Sequence, residues 1–287
     1  MVVADAYATC LRLAASHYEN FPVASRLLPK ASRPHIAAIY AFARVADDIA
    51  DEGDVPPADR VSQLEAWQWR LNEAVAGRIA ADDPDAAAIF TALADTIRRF
   101  DLEVQLFEDL LSAFGQDVFV ARYDTWADVL DYCRRSANPI GRLVLRVSGY
   151  RDPVRDRQSD AICTALQLTN FWQDLAVDWG RGRLYVPRDI RETWGADEAT
   201  LTGRAWPTAW QAAVRDAASR TRALFAEGRP LVDSVDGRLR FELRATWLGG
   251  VRILDALDRR DFNVFERRPA LGWFDAAAIG WRALRWT

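Results

Sequence analysis

Residues 34–53 read PHIAAIYAFARVADDIADEG. Apolar side chains recur there at Ile36, Ile39, Ala43, Ala46, Ile49 and Ala50, the period of a helix rather than the alternation of a strand. Pro34 suits a first helical turn, and Gly53 supplies a stop. A second row runs down the same helix through Tyr40, Arg44, Asp47 and Asp51, which steps of three and four residues place on one face. Asp48 lies at the edge of that face. Asp47, Asp48, Asp51 and Glu52 thus crowd the carboxyl end, where the helix dipole favours cations and like charges repel. A divalent metal offsets that cost. Magnesium takes oxygen ligands and bridges protein carboxylates to substrate phosphates.

One acidic helix end alone reads as solvated surface, but the pattern recurs. Residues 160–180 read DAICTALQLTNFWQDLAVDWG, with Gln167, Asn170, Asp174 and Asp178 on one stripe that ends at Gly180. Leu166, Phe171, Trp172 and Leu175 make the remainder of this helix apolar. Two helices, each ending in D-x-x-x-D, are expected to face one another across a cavity and to hold metal ions against a diphosphate. Arg181, Arg183 and Tyr185 follow directly. Beside a metal cluster the two arginines suit a bridging diphosphate; without an anion they would pair with the aspartates.

Composition agrees with one large core. The chain has 287 residues, half of them hydrophobic, and no segment reads as a confident strand, so one all-α domain over residues 1–287 is expected. A net charge of −4 argues against a general nucleic-acid surface. Lys30 is the single lysine, which leaves phosphate contacts to arginine and its bidentate fork. Cys10, Cys133 and Cys163 fit neither a disulfide framework nor a zinc spacing and read as buried thiols. No signal peptide or ~20-residue apolar span is evident. A cytoplasmic protein is expected, with peripheral contact at the inner membrane face as the alternative.

Helical patterns cover residues 4–18, 59–78, 85–99, 103–114, 206–228 and 238–260. Asp101 reads as the N-cap of the 103–114 helix, and Thr125 with Asp128 as a capping box. In TWADVLDYCRRSANPIGRLVLRVSG (125–149), Pro139 and Gly141 interrupt a helix. Tyr132, Ser136 and Asn138 just before the interruption are candidates to line a cavity. Pro22 and Pro29 break the segment 17–29, whose His17, Tyr18, Asn20 and Phe21 stand where a loop closes over a ligand. The C-terminal LGWFDAAAIGWRALRWT carries Trp273, Phe274, Ile279, Trp281 and Trp286 with Arg282 and Arg285. It reads as a final helix packed on the core, with a membrane-surface segment as the alternative.

FARVADDIADEG and QLTNFWQDLAVDWGRGRLYVP resemble the two aspartate-rich motifs of the squalene and phytoene synthases, in order and over nearly the whole chain. The resemblance implies an all-α isoprenoid synthase-like bundle around a central cavity, acting on a prenyl diphosphate with Mg2+. HYENFPVAS, YCRRSANPIGRLVL and DFNVFERRP most resemble hydroxysqualene synthases of bacterial hopanoid pathways, the HpnC type. These convert presqualene diphosphate and water to hydroxysqualene and diphosphate; a separate family member supplies presqualene diphosphate from farnesyl diphosphate, and a flavoprotein reduces the product.

By position, the resemblance assigns Asp47, Asp48, Asp51, Asp174 and Asp178 to metal. It assigns His17, Phe21, Tyr40, Arg44, Gln167, Asn170, Arg183 and Tyr185 to substrate. Tyr132 and Asn138, with Asp47 and Asp174, are the catalytic candidates. Tyr18 and Asn20 stand where many relatives carry serines, and Val177 where many carry Glu. The first change argues against a full condensation of two prenyl diphosphates, which remains the alternative reaction. A non-catalytic scaffold is a further alternative that the intact aspartates disfavour. Gly249 and Gly250 stand where many relatives have a tyrosine, and would open space for a water. No nicotinamide fingerprint is present, so no reductive step is expected.

Overall fold

The computed structural model describes residues 2–16, 28–202 and 206–286. Among them the secondary structure is helical, apart from an isolated bridge between Arg122 and Leu184. The candidates His17, Tyr18, Asn20 and Phe21 lie outside the described residues. The chain forms two compact units.

The first unit comprises residues 1–119 and 139–152. It contains α1 (Val3–Ser16), α2 (Arg33–Asp51), α3 (Pro57–Val75), α4 (Pro84–Phe100), α5 (Gln105–Asp117) and α7 (Asn138–Val147). α2 packs against α1, α3, α4 and α5. Its alanines at 37, 38, 41 and 46 are buried, which lets neighbouring helices approach closely. Phe42 of α2 is enclosed by rings: Phe107 edge-on at 5.5 Å, Phe90 at 6.0 Å and Trp67 at 6.1 Å. The Trp67 indole N–H donates to the Phe42 carbonyl at 3.3 Å, so this buried polar atom is satisfied.

The second unit comprises residues 120–138 and 153–287. It contains α6 (Trp126–Ser136), α8 (Pro153–Gly180), α9 (Arg188–Trp194), α10 (Thr208–Gly228), α11 (Leu231–Ser234), α12 (Gly237–Asp258) and α13 (Trp273–Leu284). α8 is the spine and touches α6, α10, α11 and α12. Fully buried Trp172 donates from its indole to Thr221 Oγ1 at 2.9 Å, tying α8 to α10. The same pair meets again at Gly228, where a Cβ would stand 2.7 Å from the Gln158 carbonyl oxygen. Only glycine admits that backbone approach.

Several local readings hold. Thr125 and Asp128 form the reciprocal capping box of α6, and the expected interruption is a full break, with α6 ending at Ser136 and Pro139 in the first turn of α7. Asp101 does not cap α5. It closes α4 in the left-handed conformation (φ 50°), its N–H bonding the Ile97 carbonyl, while Val104 precedes α5. The residue is short and polar enough to adopt αL, so it ends one helix rather than starting the next. Gly250 opens no space for water: a Cβ there would meet Phe225 Cζ at 2.4 Å and Leu166 Cδ2 at 2.8 Å. Cys10 and Cys133 are buried free thiols, both pushed up by burial, Cys10 to about 11. Cys163 is free and half-buried.

The C-terminal helix forms, but with its aromatics outward. Trp273, Phe274 and Trp281 are exposed and Ala283 is the buried residue of α13. α12 takes up the small-residue side of α13 and leaves these rings facing solvent.

Candidate active site: two carboxylate helices

On the first unit, Arg44 answers the acidic end of α2. Its guanidinium lies 2.5 Å from Asp48, 2.8 Å from Glu52 and 3.6 Å from Asp47. Burial would depress the Arg44 pKa, but Asp48, Asp47 and Glu52 outweigh it and hold the pKa raised. Tyr40, one turn earlier, is also held protonated: burial raises its pKa, and Asp48 and Asp47 add to this against the opposing Arg44. Asp51 is exposed on the last turn.

A second cation at this helix end comes from α3. Arg60 donates to the carbonyls of Ile49 (2.8 Å), Gly53 (2.6 Å) and Val55 (3.1 Å). A guanidinium on the last carbonyls satisfies orphaned acceptors and opposes the dipole. No periodicity on α2 announces it.

On the second unit, Asp174 is held by Arg268. Arg268 Nε donates to Asp174 Oδ1, and Nη2 to Oδ2 at 3.1 Å, in a bidentate fork. The neighbouring Gln173 donates to the Pro269 carbonyl at 2.6 Å. The 259–272 segment is therefore fastened along α8 at the second aspartate motif. Arg268 belongs to the DFNVFERRP stretch, yet no spacing rule connects it to a residue 94 positions away.

Asp178 lies half-buried one turn beyond Asp174. Its carbonyl accepts from the Arg183 N–H at 2.8 Å as the chain leaves α8 through Gly182 (φ 80°). The strand-like stretch that follows runs beside residues 121–124, with Leu184 N–H on the Ala121 carbonyl at 2.9 Å and Arg188 N–H on that of Tyr123 at 3.0 Å. This pairing places Tyr185 in a cluster of rings. It stacks on Phe171 at 3.7 Å, with Tyr123 at 5.7 Å and Tyr132 at 6.1 Å. Tyr132 and Tyr185 are thus brought together and buried. Asn138 is buried as well, its Oδ1 accepting from Thr164 at 2.9 Å. Gln167, Asn170 and Arg183 are half-buried.

No three His, Cys, Asp or Glu side chains among the described residues stand in metal-holding geometry; arginines pair with Asp47, Asp48 and Asp174. The donor set nonetheless suits magnesium. Each motif offers half-buried or exposed carboxylate oxygens and no nitrogen or sulfur ligand, and magnesium takes one or two carboxylates together with substrate phosphates.

Two long helices with D-x-x-x-D ends in an all-α chain define an isoprenoid synthase-like protein. The solved squalene synthase HpnC from Alicyclobacillus acidocaldarius superposes with a TM-score of 0.84 at 40% identity, over 91% of this chain and 96% of its own. Residues 14–275 match the sequence profile of squalene/phytoene synthase, across both units. The chain belongs to the squalene/phytoene synthase family. It is 35% identical to a hydroxysqualene synthase of Rhodopseudomonas palustris, over 85% of this chain and 80% of the relative. It is also 28% identical to the 15-cis-phytoene synthase of Synechococcus elongatus, over 93% and 88%. No helix among the described residues is long and apolar enough to cross a membrane.

Proposed function

We propose that this protein is a magnesium-dependent hydroxysqualene synthase, converting presqualene diphosphate and water to hydroxysqualene and diphosphate. The observation that carries the reading is its likeness to hydroxysqualene synthase and to HpnC at 35–40% identity over most of each chain. Asp47, Asp48 and Asp51 on α2, and Asp174 and Asp178 on α8, are the metal carboxylates. Magnesium held there supplies Lewis-acid neutralisation of the diphosphate leaving group. Arg44 and Arg183 donate to its oxygens as charge develops on them.

Arg44 and Arg268, ion-paired to these carboxylates, keep the motifs neutralised before substrate arrives. Tyr40, Asn170 and Gln167 position the substrate, as do His17 and Phe21 of the loop. Aromatic faces at Phe21, Tyr40 and Tyr132 stabilise the cation left when the C–O bond breaks, by about 0.5–2 kcal/mol per face, and Tyr185 lies towards the diphosphate. That cation rearranges, a water oxygen bonds to the cationic carbon of the rearranged skeleton, and one proton of that water leaves to solvent. Asn138 is the candidate to orient this water, its carbonyl oxygen already fixed by Thr164. A separate enzyme supplies presqualene diphosphate, and a reductase consumes the product.

The second reading, head-to-head condensation of two prenyl diphosphates, is favoured by the 28% identity to phytoene synthase over nearly the full chain. A product assay separates the two. Purified protein with magnesium and no reductant is given presqualene diphosphate or farnesyl diphosphate, and extracts are analysed by mass spectrometry. Hydroxysqualene from presqualene diphosphate alone is the expected result. Consumption of farnesyl diphosphate would replace it with the condensing reading.

A further inference from the structure

Five of the large exposed apolar side chains fall within fourteen residues: Leu271, Trp273, Phe274, Trp281 and Leu284. The other exposed rings, Trp69, Phe119 and Trp194, are scattered singly, which is ordinary for a protein surface. On α13, the 100° step per residue gathers Trp273, Ala277, Leu284, Trp281 and Phe274 into one arc about 100° wide. Trp273, Phe274 and Leu284 retain 73%, 74% and 70% of their full exposure, and Trp281 57%. Desolvating such side chains is strongly favourable, so leaving three rings and a leucine in water on one short helix needs a reason.

The helix is fixed in this orientation. Asp275 closes its first turn onto the Gly272 N–H at 2.8 Å and pairs with Arg252 of α12 at 2.5 Å. Ala283 is buried from the opposite side. Beyond the last turn, the Trp286 ring lies between the guanidinium groups of Arg229 (5.0 Å) and Arg244 (5.3 Å), edge-on to Trp247 at 5.5 Å. These contacts clamp both ends of α13 and hold its aromatic arc outward.

Charge selects the occupant. The chain carries −4 overall, but residues 266–287 carry +2, with Arg267, Arg268, Arg282 and Arg285 against Glu266 and Asp275. Asp275 is already paired with Arg252. Arg282 and Arg285 project along one border of the aromatic arc, and the Arg285 guanidinium covers the Trp281 ring at 4.1 Å. An apolar arc rich in tryptophan and bordered by arginine matches the acyl–headgroup boundary of an anionic bilayer. A second copy of this chain, acidic overall, offers no such complement in acyl chains.

We propose that α13 is a pre-formed docking face for an anionic lipid bilayer, with the Trp273, Phe274, Trp281 and Leu284 side chains inserted and Arg282 and Arg285 on the headgroups. The proposal goes beyond the reaction assigned above and does not depend on it. The face begins at Trp273, four residues after Pro269, whose carbonyl receives Gln173 of α8. The docking helix and the second aspartate motif are therefore joined by a short, anchored segment.

The test is flotation of the full chain with vesicles of phosphatidylcholine alone and of phosphatidylcholine with phosphatidylglycerol at 7:3. Binding to the anionic vesicles is expected, with the partition coefficient lowered at least tenfold by combining Trp273→Ala, Phe274→Ala and Trp281→Ala. Arg282→Gln and Arg285→Gln are each expected to cost about fivefold at low salt, an effect that shrinks in concentrated salt. Should the triple variant lose its helical circular dichroism, Trp273→Ala alone carries the comparison. Equal binding by wild type and variant overturns the proposal, as does failure of the wild type to bind anionic vesicles. A concentration-dependent dimer in light scattering that the triple variant abolishes would assign the face to a second copy and also overturn it.

Discussion

Gly249 and Gly250 are neighbours on α12 with opposite surroundings, and replacing each with alanine tests what fills this part of the second unit. At Gly249 an added Cβ would stand 3.7 Å from Leu271 Cδ1, an ordinary contact. Alanine there gains helix propensity, about 0.5–1 kcal/mol, with no steric charge against it. At Gly250 the same Cβ would stand 2.4 Å from Phe225 Cζ, 2.9 Å from its Cε1 and 2.8 Å from Leu166 Cδ2. Phe225 is almost fully buried and its ring meets the Trp247 ring edge-on at 6.2 Å, so the ring cannot swing aside freely. Overpacking of this kind costs about 1–3 kcal/mol, which exceeds the propensity gain. Gly249→Ala should therefore raise stability and Gly250→Ala lower it, the two variants differing by about 1–3 kcal/mol. Urea unfolding followed by circular dichroism reads this as a shift of midpoint at constant slope. If Gly250→Ala proves at least as stable as Gly249→Ala, the space is empty and a water pocket at Gly250 returns.

Asp47→Asn and Asp174→Asn should each reduce turnover of presqualene diphosphate below detection while the circular dichroism spectrum and unfolding midpoint stay close to wild type; undiminished activity in both would sink the metal assignment. Arg60→Ala removes three carbonyl contacts at the end of α2 and should cost about 1–3 kcal/mol, with faster amide exchange at Glu52, whose N–H bonds the Asp48 carbonyl. His35, buried and bonded to Tyr7 and Thr96, has its pKa lowered by burial and by Arg99 against the opposing Asp95. The unfolded chain then takes up a proton below about 6.5 that the folded state resists. Stability present above that pH should fall as the pH drops below about 6.5, and less so in His35→Gln; an identical pH profile for the variant would refute this.

Much of the architecture was legible in local pattern. The periodicity at Ile36, Ile39 and Ala46 predicts α2, and the burial of these residues agrees. The Thr125–Asp128 box, the stop at Gly53 and the two D-x-x-x-D pairs are written within single helices, where i, i+3 and i+4 relations fix which side chains are neighbours. The same locality explains the error at Asp101. A short polar residue between two helices serves as a stop for one or a cap for the next, and its backbone conformation decides.

What the sequence determined by itself was therefore the set of helices, the two acidic stripes and the family they resemble. Tertiary structure alone decided the partners. It selects Arg60 for the end of α2, Arg268 for Asp174, and Tyr123 and Phe171 for Tyr185; it fills the space at Gly250 with Phe225 and turns the rings of α13 outward. In a chain whose basic residues are nearly all arginine, residue type cannot say which arginine meets which carboxylate. Periodicity specifies which face of a helix is apolar, but long-range packing specifies what lies against that face and what leaves it bare.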